Sequence, residues 1–116
     1  NATGSAPIYA ARAWVNFNGT GTVAIRASGN VSSITDNGTG DYTVNFTTAM
    51  PDGNYSVTVS QPRHNYTTAS RTQLNHVNAT TTFSTGSVII ESGTIANGST
   101  TGTLLDYPLI CVSVFR

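Results

Sequence analysis

The stretch between residues 33 and 59 alternates apolar and polar residues with a period of two, and this pattern constrains the fold more than any other feature. Alternate residues of a β-strand point to the same face, so such a segment predicts strands with one apolar face. The pattern is interrupted only by turn sequences, at residues 36–40 and 50–53. Asn37-Gly38 favours the positive φ angles of a tight hairpin, and Pro51 and Gly53 are typical of turns. The stretch is therefore predicted to be an antiparallel meander.

Strand signals recur along the rest of the chain, whereas the helical spacing of apolar residues is missing. Thr, Val, Ile, Tyr and Phe dominate, and these residues favour pleated sheets. An apolar sheet face must be covered by a second layer, so we expect an all-β fold, an antiparallel, jelly-roll-like β-sandwich. One domain over residues 8–116 is expected to follow a linker or N-terminal arm, residues 1–7. The predicted strands are residues 8–18, 22–27, 31–35, 41–47, 54–61, 79–84, 87–91 and 109–115.

The chain carries few charges, and their sum is zero. Only 9% of its 116 residues are charged, and the five basic residues are all arginine. An average soluble domain has about 25% charged residues. A neutral surface does not attract a phosphate backbone, so no nucleic-acid partner is expected, and no apolar run reaches the length of a membrane span. A neutral, weakly charged chain is prone to associate, which favours a subunit of an assembly.

Aromatic residues within the predicted strands are the candidate anchors of the core or of a subunit interface, because aromatics bury the most area per residue. The last strand has apolar residues on both faces, which predicts a central or interface strand. Cys111 lies within it and is the single cysteine of the chain, so we expect it to be a buried, unreactive thiol. The candidate anchors are Trp14, Phe17, Tyr42, Phe46, Tyr55 and Phe115.

Residues 62–78 show no periodicity and are predicted to form a long irregular loop. Long loops in compact domains are often functional. Arginine, histidine and tyrosine side chains can stack on sugar rings and hydrogen-bond their hydroxyl groups. The same loop could equally pack on a neighbouring subunit, and both interpretations stay open. The candidate recognition residues are Arg63, His64, Tyr66, Arg71 and His76, and residues 92–104 form a second candidate recognition loop.

The sequence contains no pattern that is specific to catalysis or to a metal site. His64 and His76 match no zinc spacing, and no cysteine or carboxylate pair accompanies them. The G-x-S-x-G motif of hydrolases is missing, and the glycines at 19, 21, 38 and 40 precede no helix that would bind phosphate. We therefore expect no metal, no cofactor and no enzymatic activity.

Residues 10–57 resemble the C-terminal domain of tail-fibre and related virion structural proteins of tailed bacteriophages, many of them marine. The resemblance is carried by the string Arg12-Ala13-Trp14-Val15-Asn16-Phe17, by residues 34–37, by residues 42–46 and by the closing residues 112–116. It implies a non-enzymatic, usually trimeric β-sandwich at a fibre tip, on the extracellular surface of a virion. Its implied partners are copies of itself, other virion proteins and a host surface glycan or envelope protein. Residues 61–102 lie outside the resemblance, and no binding residue is carried over.

Two other functions remain open from the sequence. One is a structural subunit that decorates a capsid or forms an extracellular filament, with its N-terminal arm adding a strand to a neighbour. The other is a glycan-binding module of a secreted bacterial protein.

Overall fold

A computed structural model describes residues 7–62, 71–77, 83–96 and 99–116 of the chain. These residues form strands connected by turns and short loops, with no helix in the described ranges. The strands are β1 (Ala13–Asn18), β2 (Ala24–Gly29), β3 (Val31–Gly38), β4 (Asp41–Phe46), β5 (Ser56–Ser60), β6 (Arg71–Val77), β7 (Ser87–Ala96), β8 (Gly102–Leu104) and β9 (Ile110–Phe115).

The strands form two antiparallel sheets, which confirms the predicted all-β sandwich. The first sheet has the order β2-β1-β9-β5, and the second has the order β3-β4-β7-β6 with β8 also paired to β7. β9 lies between β1 and β5, so the prediction of a central final strand is confirmed. Its inward residues Ile110, Val112 and Val114 are at most 1% exposed.

The core forms where the alternating apolar residues of the two sheets face each other. On β1, Ala13, Val15 and Phe17 are buried, and Trp14 lies on the opposite, outer face. Besides the inward residues of β9, the other core side chains come from the second sheet and from the connecting segments: Val31, Tyr42, Val44, Phe46, Met50, Tyr55, Val88, Ile90 and Tyr107.

Two edge-to-face aromatic pairs connect the sheets. The Phe17 and Tyr42 rings are 5.1 Å apart at 73°, and the Phe46 and Tyr55 rings are 5.9 Å apart at 82°. These are the geometries that aromatic quadrupoles favour. All four side chains are buried, as a core role requires.

Trp14 and Phe115 are not core residues, because their side chains are 43% and 36% exposed. A role for them at a subunit interface stays a prediction. Cys111 also points to the outer face of the first sheet and is only half-buried, so its predicted burial in the core is wrong. The reason is register: Cys111 alternates with the buried residues Ile110 and Val112.

The hairpin between β3 and β4 turns at Thr39 and Gly40, two residues later than the predicted Asn37-Gly38 turn, because β3 continues to Gly38. Gly38 and Gly40 have positive φ angles of 143° and 66°, a conformation that favours glycine. The Gly38 amide also donates a 3.0 Å hydrogen bond to Asp36 Oδ1. Asp36 lies within β3, at a register shift in the pairing with β4, and not in the turn itself.

The structure differs from the sequence prediction where strands lack apolar alternation. Residues 71–77 form β6 instead of a loop, because their backbone pairs with β7 along seven positions. β7 continues to Ala96, and residues 102–104 form β8, so the predicted loop at 92–104 is largely strand. Conversely, β1 begins at Ala13 and not at residue 8. Residues 79–82 of another predicted strand lie outside the described residues, and residues 83 and 84 are not in a strand.

Candidate functional site

The sandwich has two distinct ends, which are fixed by strand register. At one end, here called the basal end, β1 begins and β9 ends, with Ala13 paired to Val114. At the other end, here called the distal end, Phe17 is paired to Ile110 and the β3–β4 hairpin turns at Gly40. Each end presents different chemistry.

The distal end is extended by the second half of β7. β4 pairs with the first half of β7, as far as Glu91, and β8 pairs with the second half from Gly93 onward. β4 and β8 occupy the same edge of β7. The N–H and C=O groups of Ser92 point to one edge: the N–H donates to Gly40 O at 2.8 Å, and the C=O accepts from the Leu105 amide at 2.9 Å. β6 pairs along the opposite edge. β6, β7 and β8 thus form a three-stranded distal extension.

The distal extension brings together the two segments that the sequence marks as recognition loops. Arg71 is paired with Ala96 and His76 with Glu91, so β6 holds the first segment against the second. Arg71 and His76 therefore lie on a strand and not on an irregular loop. The candidate residues Arg63, His64 and Tyr66 lie outside the described residues.

A polar network secures the distal end to the sandwich. Asp106 Oδ1 accepts hydrogen bonds from the Tyr42 hydroxyl at 2.5 Å and from the Gly40 amide at 2.8 Å. The Tyr42 oxygen also lies 3.1 Å from Gly19 O. Burial raises the pKa of Tyr42 strongly, and the hydrogen bond to Asp106 and its negative charge add to the effect. Tyr42 is therefore a neutral donor at every physiological pH.

A second group of buried polar atoms surrounds the Gly93 carbonyl. Its oxygen accepts from Gln61 Nε2 at 3.0 Å and from the Tyr107 hydroxyl at 3.3 Å. Thr94, next in the chain, is 1% exposed, and its hydroxyl makes no hydrogen bond in the structure. Sequence reasoning missed Gln61, Thr94 and Tyr107, because single polar side chains that bond a distant backbone carry no periodic signal. The sequence 106–108, Asp-Tyr-Pro, is the one local signal of a structured connection.

The basal end presents exposed apolar side chains. Ile8 and Tyr9 are 63% and 76% exposed, and Phe83 and Phe115 lie close to the same end. The chain is fixed at Arg12, whose amide donates to Val114 O at 2.7 Å and whose carbonyl accepts from Asn30 Nδ2 at 3.0 Å. Residues 7–11 extend from this point as an exposed arm.

The described part of the chain contains neither a group of metal-ligating side chains nor a helix that could cross a membrane. Among those residues, no three His, Cys, Asp or Glu side chains are grouped so that they could hold a metal ion. Nor do those ranges include a helix with the length and apolar character needed to cross a membrane.

Comparisons of the chain with protein-family models, with curated proteins and with solved structures give no match.

Proposed function

We propose that this chain is a non-enzymatic surface module of a bacteriophage virion, a fibre-tip domain that contacts the host cell. The proposal rests on two observations: residues 10–57 resemble a domain of phage tail-fibre proteins, and the two ends of the sandwich differ in chemistry. The basal end carries the arm with the two most exposed large apolar side chains, Ile8 and Tyr9, although Ile25 and Leu109 are also exposed nearer the distal end. The distal end carries the paired segments 71–77 and 92–104. In this assignment the module acts on the extracellular surface of the virion.

The observation that carries the proposal is the placement of the apolar arm opposite the distal extension. The arm with Ile8 and Tyr9 leads to Arg12, which is bonded to Val114, whereas Arg71 and Ala96 pair beyond the opposite end. A tip domain requires this polarity, since one end must join an assembly while the other meets the host. The exposed apolar side chains of the arm favour association with protein, here with copies of this chain in a trimer and with other virion proteins. The distal end would then contact a glycan or an envelope protein of the host.

Ile8 and Tyr9 also favour a second candidate function, a structural subunit of a capsid decoration or filament. An extended, exposed arm with apolar residues can add a strand to the sheet of a neighbour. The two functions differ in stoichiometry, because a trimer is closed whereas arm exchange in one direction forms an open chain.

Adsorption to cells tests the host-contact proposal. Fluorescently labelled protein is mixed with a panel of bacterial strains, and cell-bound fluorescence is measured for the native chain and for Arg63→Ala and Tyr66→Ala. Thr47→Ala, an exposed change at the basal end, is the matched control. We expect saturable binding to particular strains, reduced by the first two changes and unaffected by the control. Absence of saturable binding to every strain would contradict host contact by this domain.

A further inference from the structure

The outer face of the first sheet carries the single tryptophan of the chain between two arginines. Trp14 is 43% exposed on β1, and alternation places Arg12 and Asn16 on the same face. The Arg12 backbone is fixed on both sides by its bonds to Val114 and Asn30. A β-bulge between Asn16 and Phe17 disrupts the pairing with β2, and Arg26 Nη1 lies 3.5 Å from Asn16 Oδ1.

The Trp14 indole is held against the sheet by a glycine. Trp14 is paired with Gly29 of the edge strand β2, and a Cβ at Gly29 would overlap the five-membered ring of the indole. Aromatic side chains cover glycines in edge strands in this way. The ring is therefore supported by the backbone while a substantial part of its surface remains open to solvent.

Among the described residues, the charge on this face has one sign. The outward residues of β1, β9 and β5 beside Trp14 are hydroxyl, amide, thiol and aromatic groups, and the charged side chains are Arg12 and Arg26. Asp52, at the basal rim, is neutralised by Arg116 through hydrogen bonds of 2.7 and 2.8 Å. A ligand that matches this face offers a flat apolar side to the indole, hydroxyl groups to Asn16 and a negative charge to the guanidinium groups.

We propose that the Arg12–Trp14–Asn16–Arg26 surface binds an acidic oligosaccharide built from uronic acids. One pyranose ring stacks with its C–H face on Trp14, and sugar carboxylates bind Arg12 and Arg26. Guanidinium groups bind carboxylates with two parallel hydrogen bonds, and an aromatic platform with a few polar groups is a common form of ligand site. Residues 12 and 16 are on the order of 13 Å apart along the strand, a length that accommodates more than one sugar ring.

This inference rests on the proposed function only for the class of its target, a host surface glycan. Its location is independent of the distal extension. Failure at this face would leave distal contact with the host intact, and failure of cell adsorption would not remove binding of a purified sugar.

The test uses the fluorescence of Trp14, which no other tryptophan obscures. Tetragalacturonate is titrated into the native protein at low salt, with the neutral sugar maltotetraose as the matched ligand. We expect a saturable change in Trp14 emission with tetragalacturonate, weakened by salt, and no change with maltotetraose. Arg12→Ala and Arg26→Ala should each weaken binding about tenfold, as expected for loss of one charge-assisted contact. Arg12→Lys should restore part of the affinity.

Trp14→Ala is measured by calorimetry and should abolish detectable binding, while Thr39→Ala in the distant β3–β4 turn should leave it unchanged. Circular dichroism establishes that each variant is folded. The inference would be overturned by the lack of a saturable response to tetragalacturonate, by equal binding of Trp14→Ala, or by binding of dextran sulfate in a parallel titration that shows no binding of tetragalacturonate. A change in Trp14 emission on dilution that parallels dissociation of the assembly would also overturn it, since a second copy would then cover this face.

Discussion

Tyr42 donates a hydrogen bond of 2.5 Å to Asp106, and this bond connects strand β4 of one sheet to the segment that enters β9 of the other. The same carboxylate oxygen accepts from the Gly40 amide, so one side chain of the β8–β9 connection fixes the β3–β4 hairpin. Asp106 is distant in sequence from both donors. The distal end therefore depends on a long-range polar contact as well as on strand pairing.

Replacement of Tyr42 by phenylalanine should destabilise the fold by about 2 kcal/mol, because a charge-assisted hydrogen bond is lost while the ring stays. Urea unfolding followed by circular dichroism measures the change. Tyr9→Phe, in the exposed arm, is the matched control and should have no effect. If the Tyr42→Phe variant unfolds at the same urea concentration as the native chain, the bond to Asp106 contributes nothing to stability.

Phe17→Ala should cost about 3–5 kcal/mol, because the Phe17 ring is fully buried and packs on Tyr42. Trp14→Ala, three positions earlier on the same strand, removes a larger ring from the outer face and should cost less than Phe17→Ala, because Trp14 is 43% exposed. Equilibrium unfolding of both variants compares them directly. Equal losses would contradict the division of β1 into an inner and an outer face.

Gly40→Ala should destabilise the protein by at least about 2 kcal/mol, because a non-glycine residue is strained at its φ of 66°. A Cβ there would also meet backbone atoms of Ser92 and Leu105, which cannot move without disturbing β7. Gly86→Ala is the control, because its Cβ would meet nothing within 4 Å. Thermal unfolding should separate the two variants; similar melting temperatures would argue against the close approach at Gly40.

Acid should weaken the contact between Asp52 and Arg116. The Arg116 hydrogen bond lowers the pKa of Asp52 from 3.8 to about 2. Because the folded-state pKa is below the unfolded one, the contribution to stability is present above about pH 4 and is lost as the pH falls through 2. Asp52→Asn should therefore be less stable than the native chain at pH 7, and the difference should narrow as the pH falls and vanish below pH 2.

Unfolding curves of both proteins across this pH range test the prediction, and NMR titration of the Asp52 carboxyl carbon gives its pKa directly. A pKa near 3.8 would contradict the ion pair in solution.

The sequence predicts the strands whose apolar residues alternate and misses those that depend on a partner. Residues 41–46 show the alternation that burial of Tyr42, Val44 and Phe46 confirms. The β6 sequence, Arg71-Thr72-Gln73-Leu74-Asn75-His76-Val77, has no such pattern, and its strand conformation follows from pairing with β7.

For the candidate sites too, local sequence pattern predicts some features, whereas others depend on strand pairing. The meeting of residues 71–77 with residues 92–96 requires knowledge of strand pairing, which local sequence does not contain. The exposure of Trp14 follows from its alternation with Ala13 and Val15, but the support from Gly29 requires the register between β1 and β2. Asp106 could not be predicted as the partner of Tyr42, because the two are 64 residues apart.

The exposed arm should contribute to assembly and not to folding. Ile8→Ser combined with Tyr9→Ser should leave the urea unfolding curve unchanged at low protein concentration, because both side chains are largely exposed in the folded chain. The same double change should lower the mass of the assembly, since apolar surface drives association. If the double variant assembles to the same mass as the native chain, the arm is not part of the interface.

The mass of the native chain by light scattering across a dilution series tests the central claim, a self-associating tip domain, most directly. We predict a stable mass of three chains, that is, three times the 12.1 kDa of one chain. A single-chain mass at every concentration would contradict assembly, and a mass that grows without limit would contradict the fibre tip and favour the filament subunit.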